Sequence, residues 1–292
     1  MNKTSFYQFF NHDSKQANAS RLPKNRFLAY FDIVKHRFGS LVFSSFLTSL
    51  FFLPLFVFLF LSELYNNLPQ SGSYDEFTLA FRLFSLKTIE AIISVPLFVL
   101  GFVGLGGLFY VIKRLVHQEA DIRSSKDFLI GLRANFKESI FAGLLFALYM
   151  IIFTANLYFF PTIEGFPVYI SIIFVTVLSL FFVILFALVM FILTGASLYQ
   201  FHPKYTLKNS ALLAVILFPK NLLFILIGAV TLLGILFIPY VLIQLSLMVV
   251  TIVYGFSHMG LVFTLYSFKI YDQYINKQYE PGIVDQGLDK EE

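Results

Sequence analysis

Two residue types are missing from this chain altogether: it contains no cysteine and no tryptophan. Without cysteine there is no disulfide, no thiolate metal site and no cysteine nucleophile, and the redox compartment stays undetermined. Without tryptophan, anchoring at a membrane surface falls to the 16 tyrosines and to basic side chains. Charge is also scarce, since 13% of the residues are charged, against about 25% in an average soluble domain.

Apolar residues are in excess: 58% of the 292 residues are hydrophobic, and the mean hydropathy is +0.78. A soluble domain of this length could not cover so much apolar surface with so few polar residues. Lipid removes that difficulty, and because it offers the backbone no hydrogen-bond partner, every crossing has to be helical. The composition therefore predicts an all-α, polytopic membrane bundle. The net charge of +4 is then explained by basic cytoplasmic loops, and no nucleic-acid partner is expected.

A crossing helix needs roughly 20 predominantly apolar residues. The candidate spans are residues 41–61, 91–112, 140–160, 168–194, 222–238 and 241–268. The last two come from one apolar stretch that is too long for a single crossing, and Pro239 near its middle is the natural break. We therefore predict an N-terminal segment at 1–40, a six-helix membrane domain at 41–268 and a cytoplasmic tail at 269–292.

Basic residues fall almost entirely on one side of these spans. All but two of the 21 lysines and arginines lie in the N-terminal segment, in the loops after the second and fourth spans, or in the tail. The exceptions are Arg82 and Lys87, after the first span. Because lysine and arginine mark cytoplasmic loops, both termini are predicted to be cytoplasmic.

The segments between the spans have predicted structure of their own. Residues 24–38 place basic residues around one apolar helical face, which is typical of a helix lying on an anionic leaflet. That face consists of Phe27, Phe31, Val34 and Phe38. Residues 62–87 predict a turn-rich outer cap. Residues 125–138 and 207–218 predict two cytoplasmic helices, the first capped by Ser124 or Ser125 and running straight into the third span. The polar tail after Lys277 predicts disorder.

No motif for catalysis, metal binding or cofactor binding is recognisable. The five histidines are scattered, and no two have the i, i+4 spacing of metal ligands. Neither a Gly-x-Ser-x-Gly motif nor a phosphate-binding lysine loop occurs. We therefore expect no enzymatic activity, no catalytic residues and no cofactor. In the second span, Gly101, Gly104 and Gly107 recur every three residues and predict the close approach of a neighbouring helix.

Two polar residues inside the predicted spans are candidates for an intramembrane site. His258 lies well inside the sixth span, and Asn156 lies in the third. Such residues line transport pathways in some membrane proteins. They serve equally as hydrogen-bond partners between helices, so both interpretations stay open for His258 and Asn156.

The most distinctive cytoplasmic segment follows the second span. Its basic and aromatic side chains predict either simple positive charge at the membrane surface or a docking surface for a partner or for anionic lipid. The candidate docking residues are Arg123, Lys126, Phe128, Arg133, Asn135, Phe136 and Lys137.

Four short motifs carry a family resemblance in this part of the chain. They are the helix end 107–116 (GLFYVIKRLV) followed by an acidic turn, then Lys126-Asp127-Phe128-Leu129, then Asn135-Phe136-Lys137-Glu138-Ser139, and near the start Phe38-Gly39-Ser40-Leu41-Val42. Over about residues 26–160 the pattern resembles the YesL family of bacterial membrane proteins. Glu138 stands where that family usually has glutamine.

The resemblance implies a location and a context rather than a chemistry. The family has no assigned activity, and its members are often associated with carbohydrate-uptake systems of low-GC Gram-positive bacteria. It implies a bacterial plasma-membrane protein, accessory or permease-like, with ABC transporter permease or ATPase subunits as candidate partners. Two alternatives stay open: an autonomous small-molecule transporter or channel, and a structural protein that organises the membrane without transporting anything.

Overall fold

The computed structural model describes residues 22–66, 76–163, 167–199, 203–238, 240–279 and 281–289. Within these ranges the chain is helical and contains no strand, which confirms the predicted all-α class. The helices are α1 (Arg26–Asn66), α2 (Glu76–Ile93), α3 (Val95–Val116), α4 (Ser124–Ala134), α5 (Phe136–Phe159), α6 (Val168–Leu198), α7 (Pro203–Ile216), α8 (Phe218–Gly228), α9 (Val230–Phe237), α10 (Val241–Val250), α11 (Phe256–Tyr271) and α12 (Lys277–Tyr279). Two π-helical turns, Thr251–Gly255 and Asp272–Asn276, join α10, α11 and α12 into one continuous rod.

Connectivity indicates one further passage through the bundle besides five long apolar helices. In the described chain, five helices are long and apolar enough to cross a membrane: α1, α3, α5, α6 and the rod Leu242–Asn276. The Tyr199 hydroxyl, just after α6, donates to Asn276 at the end of this rod. The rod has 35 residues and is about 50 Å long, so Leu242 lies at the far side of the bundle. The chain between Tyr199 and Leu242 must therefore cross once more.

That additional crossing differs from the single helix predicted at 222–238. It consists of α8 and α9, which are separated at Ala229 (φ −95°, ψ 17°). These helices have 11 and 8 residues, and neither alone reaches across a hydrocarbon core of roughly 30 Å. Before them, α7 meets α8 at a bend of 94°, so α7 lies across the direction of the crossing.

Both described chain ends lie at one end of the bundle, which we call the basic end. The Asp289 amide donates to the Pro23 carbonyl over 3.1 Å. Gln118, in the turn after α3, donates from Nε2 to Asp32 in α1 over 3.2 Å. The basic end therefore comprises the start of α1, the turn between α3 and α4, α4 itself, α7 and the residues after α11. It holds the segments that the sequence analysis placed in the cytoplasm.

Three helices that run away from the basic end are preceded there by the same local structure. In each, a short helix is followed by one residue outside the α region and then by a phenylalanine that opens the crossing helix. The break residues are Arg37 (φ −126°, ψ 24°), Asn135 (φ −102°, ψ 14°) and Leu217 (φ −98°, ψ 20°). The phenylalanines are Phe38, Phe136 and Phe218. The predicted straight entry of 125–138 into the third span is therefore corrected to two helices that meet at Asn135.

The buried core lies in the half of the bundle near the basic end. The buried residues of α6 run from Ala187 to Ser197, whereas its described residues before Ala187 are partly or fully exposed. The same division separates α11, which is largely buried, from α10, whose described residues are exposed or half-buried. The apolar surfaces of the opposite half are suited to lipid, because lipid requires no polar cover.

Two predictions about connecting segments need correction. Within the predicted turn-rich cap at 62–87, α1 continues to Asn66 and residues from Glu76 onward form α2, while residues 67–75 lie outside the described part. The tail is also ordered where it is described: residues 281–289 fold back onto the basic end, and Leu288 is buried. Their polar composition predicted disorder, and the contacts that order them could not be foreseen because the partners, Pro23 and Arg26, are distant in sequence.

Glycines allow α4 to lie directly on α3. A Cβ at Gly131 of α4 would overlap the Tyr110 side chain and lie 3.0 Å from the Gly107 carbonyl oxygen. A Cβ at Gly107 would in turn lie 3.0 Å from the Phe128 carbonyl oxygen. The two helices approach closely because neither glycine carries a side chain.

We expect Gly131→Ala to destabilise the fold by about 1–3 kcal/mol, because the added methyl group meets backbone and Cβ atoms that cannot rotate away. Thermal unfolding of the purified protein in detergent, followed by helical circular dichroism, measures this. Gly39→Ala is the matched control, since nothing lies within 4 Å of its added Cβ. Equal melting temperatures for both variants would contradict the tight α3–α4 contact.

Candidate functional site

A buried ion pair joins the beginning of α1 to the residues just after α11. Arg26 in the first turn of α1 donates from Nη2 to Asp272 Oδ2 over 2.9 Å, and each side chain is 9% exposed. The second oxygen of Asp272 accepts a hydrogen bond from Asn276 Nδ2 over 2.7 Å. Asp272 is the first acidic residue after Glu164 in the sequence. The carboxylate is thus held through both oxygens, as burial of a charge requires.

The tail closes over this ion pair. Arg26 donates from Nη1 to the Gln286 carbonyl over 2.9 Å. Gly287 has φ +81° and lies so close to the Val116 carbonyl that a side chain there would clash. Left-handed backbone of this kind favours glycine. The tail therefore connects the beginning of α1 with the end of α3.

His258 links three helices through both ring nitrogens. Its Nε2 lies 3.0 Å from the Ile227 carbonyl of α8, and its Nδ1 lies 2.8 Å from the Tyr30 hydroxyl of α1. Because a carbonyl only accepts, Nε2 carries the proton and Nδ1 accepts from Tyr30. The Tyr30 oxygen is then free to accept from the Tyr254 hydroxyl at 2.9 Å. His258 therefore connects α11 to both α1 and α8.

A cavity of about 1320 Å³ opens beside His258 at the basic end. It is larger than the roughly 300–1,000 Å³ of a typical small-ligand pocket. Its walls come from α1, α8, α11 and the tail. Its aromatic lining residues are Phe27, Tyr30, Phe31, Phe224 and Tyr266, and its charged lining residues are Lys24, Arg26, Lys269, Asp272, Lys277, Asp285 and Asp289. The cavity can therefore bind a ligand that has both apolar and charged parts.

The predicted docking surface on and around α4 divides into exposed and buried residues. Arg123, Lys126, Arg133, Phe136 and Lys137 are exposed. Leu129 and Ile130 are exposed beside them, so the surface combines basic and apolar side chains. Phe128 and Asn135 are corrected: both are buried, and neither belongs to the exposed surface. Phe128 packs into the core, and Asn135 donates from Nδ2 to the Gly106 carbonyl over 2.9 Å.

Arg114 holds α4 in place from the end of α3. Its guanidinium pairs with Glu119 in the following turn and with Asp127 in α4. Asp127 Oδ2 also accepts from the Arg123 amide over 2.8 Å, which caps the beginning of α4. The predicted cap from Ser124 or Ser125 is therefore corrected to one from Asp127. Glu119 of the acidic turn and Asp127 of α4 are thus both partners of this single arginine.

The remaining predicted site residues, Asn156 and the three glycines of α3, do not come together at one place. Asn156 donates to the Ile152 carbonyl of its own helix and lies apart from the His258 cavity. Gly101 and Gly104 face Phe52 and Phe51 of α1 respectively, whereas Gly107 faces α4. In the described part of the chain, no three histidine, aspartate or glutamate side chains come together in a way that could hold a metal ion.

Comparison with known proteins gives one match. Residues 77–157 match a family described as a protein of unknown function, DUF624. This match covers α2 to α5, including the α3–α4 contact, and is consistent with a YesL-like family; it carries no information about carbohydrates. No curated protein and no solved structure matches the chain.

Sequence reasoning missed the partners that build the cavity. Arg26 was one of several basic residues in a predicted surface helix, and Asp272 was one of several polar residues after the last span. A signal was present, because Asp272 is an isolated acid next to a crossing helix. No local pattern marks Tyr30 or Ile227 as the partners of His258, since they lie on other helices.

We expect Arg26→Gln to destabilise the protein by about 3–5 kcal/mol, because it leaves Asp272 charged, buried and without its cation. The double variant Arg26→Gln, Asp272→Asn should recover part of this loss. Thermal unfolding of wild type, both single variants and the double variant gives the coupling energy. If the losses of stability in the two single variants simply added in the double variant, the two side chains would not interact. Lys35→Gln on the exposed side of α1 is the control.

The turn after α3 predicts a pH dependence. Burial, together with the nearby Lys113 and Arg26, lowers the pKa of His117 to about 4. Between pH 6.5 and about pH 4, His117 is protonated in the unfolded chain but not in the folded chain. The free energy of unfolding therefore falls as the pH is lowered through this range. The expected loss between pH 7.5 and pH 5 is about 2 kcal/mol. His117→Gln should remove this slope in thermal unfolding, whereas the exposed His36→Gln should retain it.

Proposed function

We propose that this protein is a non-enzymatic component of a bacterial plasma-membrane system for carbohydrate import, accessory or permease-like. Its six crossings supply the membrane domain, and α4 presents the docking surface. The observation that carries the proposal is the way α4 is mounted: Arg114, Asp127 and Asn135 fix it rigidly, while a basic and apolar side is left exposed. A rigid, exposed helix face of mixed character is suited to bind another protein.

The proposed orientation has both termini and α4 in the cytoplasm. Its support is the distribution of basic residues between the two ends of the bundle. Among the described residues, Arg82 and Lys87 belong to α2, whereas the other lysines and arginines lie in segments at or next to the basic end. Such asymmetry is typical of cytoplasmic loops.

The proposed partners are the permease or ATPase subunits of an ABC transporter. The support for carbohydrate transport is the resemblance to the YesL family over about residues 26–160, a region that includes the match at 77–157. A second surface helix supports the same role. Since α7 meets α8 at 94° and lies at the same end as α4, the two helices offer a partner two contact points at the basic end.

An autonomous transporter is the second candidate, because the cavity reaches His258. Purified protein in proteoliposomes would then move a sugar or ion without any partner. His258→Gln, which retains one donor and one acceptor but shortens the side chain, should reduce that flux more than it reduces stability. Absence of flux, together with recovery of an ATPase in the native complex, would eliminate this candidate.

We expect charge reversal at the four exposed basic positions of the α4 docking surface to abolish recovery of the partner subunits. These positions are Arg123, Lys126, Arg133 and Lys137. The protein is purified gently from its native membrane, and mass spectrometry identifies the proteins that accompany it. Reversal should lower their recovery at least tenfold while the melting temperature changes little, because these side chains are exposed.

A matched pair of single variants separates docking from membrane attraction. Lys126→Glu on α4 should weaken partner recovery, whereas Lys35→Glu on α1 should not. Undiminished recovery in the fourfold variant would refute the docking surface. Recovery of the wild-type protein with lipid and no partner would favour a structural role in organising the membrane.

A further inference from the structure

The last described segment of the chain, residues 281–289, forms one wall of the cavity beside His258. The other walls come mainly from helices α1, α8 and α11, whose backbones are fixed by their own hydrogen bonds. Residues 281–289 consist of one short 3₁₀ turn, Pro281–Ile283, followed by further turns. Five of these nine residues line the cavity: Pro281, Val284, Asp285, Leu288 and Asp289. This wall is therefore built differently from the others.

Few contacts hold this segment against the bundle. Among residues 281–289, Leu288 is buried, and the rest are exposed or half-buried. The hydrogen bonds of the segment to the other walls use backbone groups, namely the Asp289 amide, the Gln286 carbonyl and the Asp285 amide. Asp285 also has φ +53°, a left-handed conformation that is unfavourable for a residue other than glycine. A segment with so little buried surface opens far more easily than a helix of the bundle unfolds.

The segment is attached to a fixed base through a point that can turn. Asp272 and Asn276, in the π-helical turn before the segment, are both buried and are hydrogen-bonded to each other. The Tyr199 hydroxyl, just after α6, donates to the same Asn276. A Cβ added to Gly282, in contrast, would have nothing within 4 Å, and glycine tolerates a wide range of backbone angles. Rotation at Gly282 can therefore swing residues 283–289 without moving the base.

Opposite charges favour the closed position of the segment. The segment contributes Asp285 and Asp289 to the cavity lining, and the neighbouring chain contributes Lys24, Lys269 and Lys277. Both aspartates are exposed, so their attraction to these lysines is weak and is screened by salt. Such an attraction returns the segment to its place without preventing it from leaving.

We infer that residues 281–289 form a lid that controls access to the cavity from the basic end. When the lid is closed, it restricts the passage of solutes from the aqueous phase to the part of α11 that lines the cavity. When the lid swings about Gly282, these solutes reach that wall. The ion pair of Arg26 and Asp272 positions the closed lid, because each partner contacts a backbone group of the lid. This inference concerns access to the cavity and does not depend on docking at α4.

The rate at which a thiol in the cavity reacts tests this inference. Because the chain has no cysteine, a single introduced cysteine reacts without background. Leu265→Cys places the thiol at a buried position of α11 that lines the cavity. The full-length protein is treated with a polar maleimide, and mass spectrometry follows the modification. Leu261→Cys is the matched control on the same helix, since Leu261 is buried but does not line the cavity, and it should stay unmodified.

A disulfide across the closed lid tests whether the lid moves. The Asp289 amide and the Pro23 carbonyl are 3.1 Å apart, which places the two Cα atoms within about 7 Å, the reach of a disulfide. Pro23→Cys and Asp289→Cys are added to the Leu265→Cys protein and oxidised. The disulfide should slow modification of residue 265 at least tenfold. An unchanged rate would overturn the inference, because the cavity would then be reached without movement of the lid.

A weakened lid tests whether the lid covers the cavity. Leu288→Asn removes the buried apolar side chain of the lid, so it should speed modification of residue 265 at least tenfold. Gln286→Ala is the control and should leave the rate unchanged, because the contact of Gln286 with α1 uses its backbone carbonyl. Equal rates in these two variants would overturn the inference. Equally faster modification of Leu261→Cys in the Leu288→Asn protein would also overturn it, since the whole bundle would then have loosened.

Discussion

The arrangement of the helices depends on the fact that lipid cannot hydrogen-bond to a protein. Where a helix breaks inside the bundle, the backbone groups that the break frees need a partner from the protein itself. Asn221 shows this at the bend between α7 and α8, where its amide donates to the carbonyls of Leu213 and Ala214. Its oxygen accepts from the Tyr266 hydroxyl of α11 over 2.7 Å. One buried side chain therefore both permits the bend and fastens it to the next helix.

The same requirement concentrates tight packing at the basic end. Ser257 donates to the Leu41 carbonyl and Ser45 to the Thr251 carbonyl, so small hydroxyl side chains join α1 to the last rod from both sides. Toward the opposite end the helices expose their apolar sides instead. The bundle is thus most tightly packed in the half near the basic end. The α4 surface and the cavity beside His258 both lie in that half.

Some of this architecture could be predicted because its cause is local. Apart from 222–238, which is divided into α8 and α9, each long apolar run became a helix long enough to cross, since roughly 20 apolar residues are enough for a span regardless of their neighbours. The glycines of α3 were recognisable as sites of close approach, but Gly101 and Gly104 turned out to face α1 while Gly107 faces α4. Spacing along one helix shows that residues share a side. It does not show how many neighbours meet that side.

The candidate site could be predicted from the sequence only in part, for the same reason. Of the seven predicted docking residues, Phe128 and Asn135 proved to be buried. Their types and positions resemble those of an exposed amphipathic helix, and their burial results from α3 lying against α4. His258 was recognised as an unusual intramembrane residue, yet its meaning depends on Tyr30 and Ile227, which are distant in sequence.

By itself, the sequence determined that the chain is a helical membrane protein with about six crossings and that its charge is gathered on one side. The length of an apolar run and the position of basic residues indicate spans through their interaction with the bilayer, and this interaction does not depend on tertiary contacts. Only the tertiary structure decided that Arg26 meets Asp272, that the tail folds back and that α1, α8 and α11 line one cavity. These features are contacts between residues far apart in the chain. They exist only once neighbouring helices have packed, because packing alone brings such residues within bonding distance.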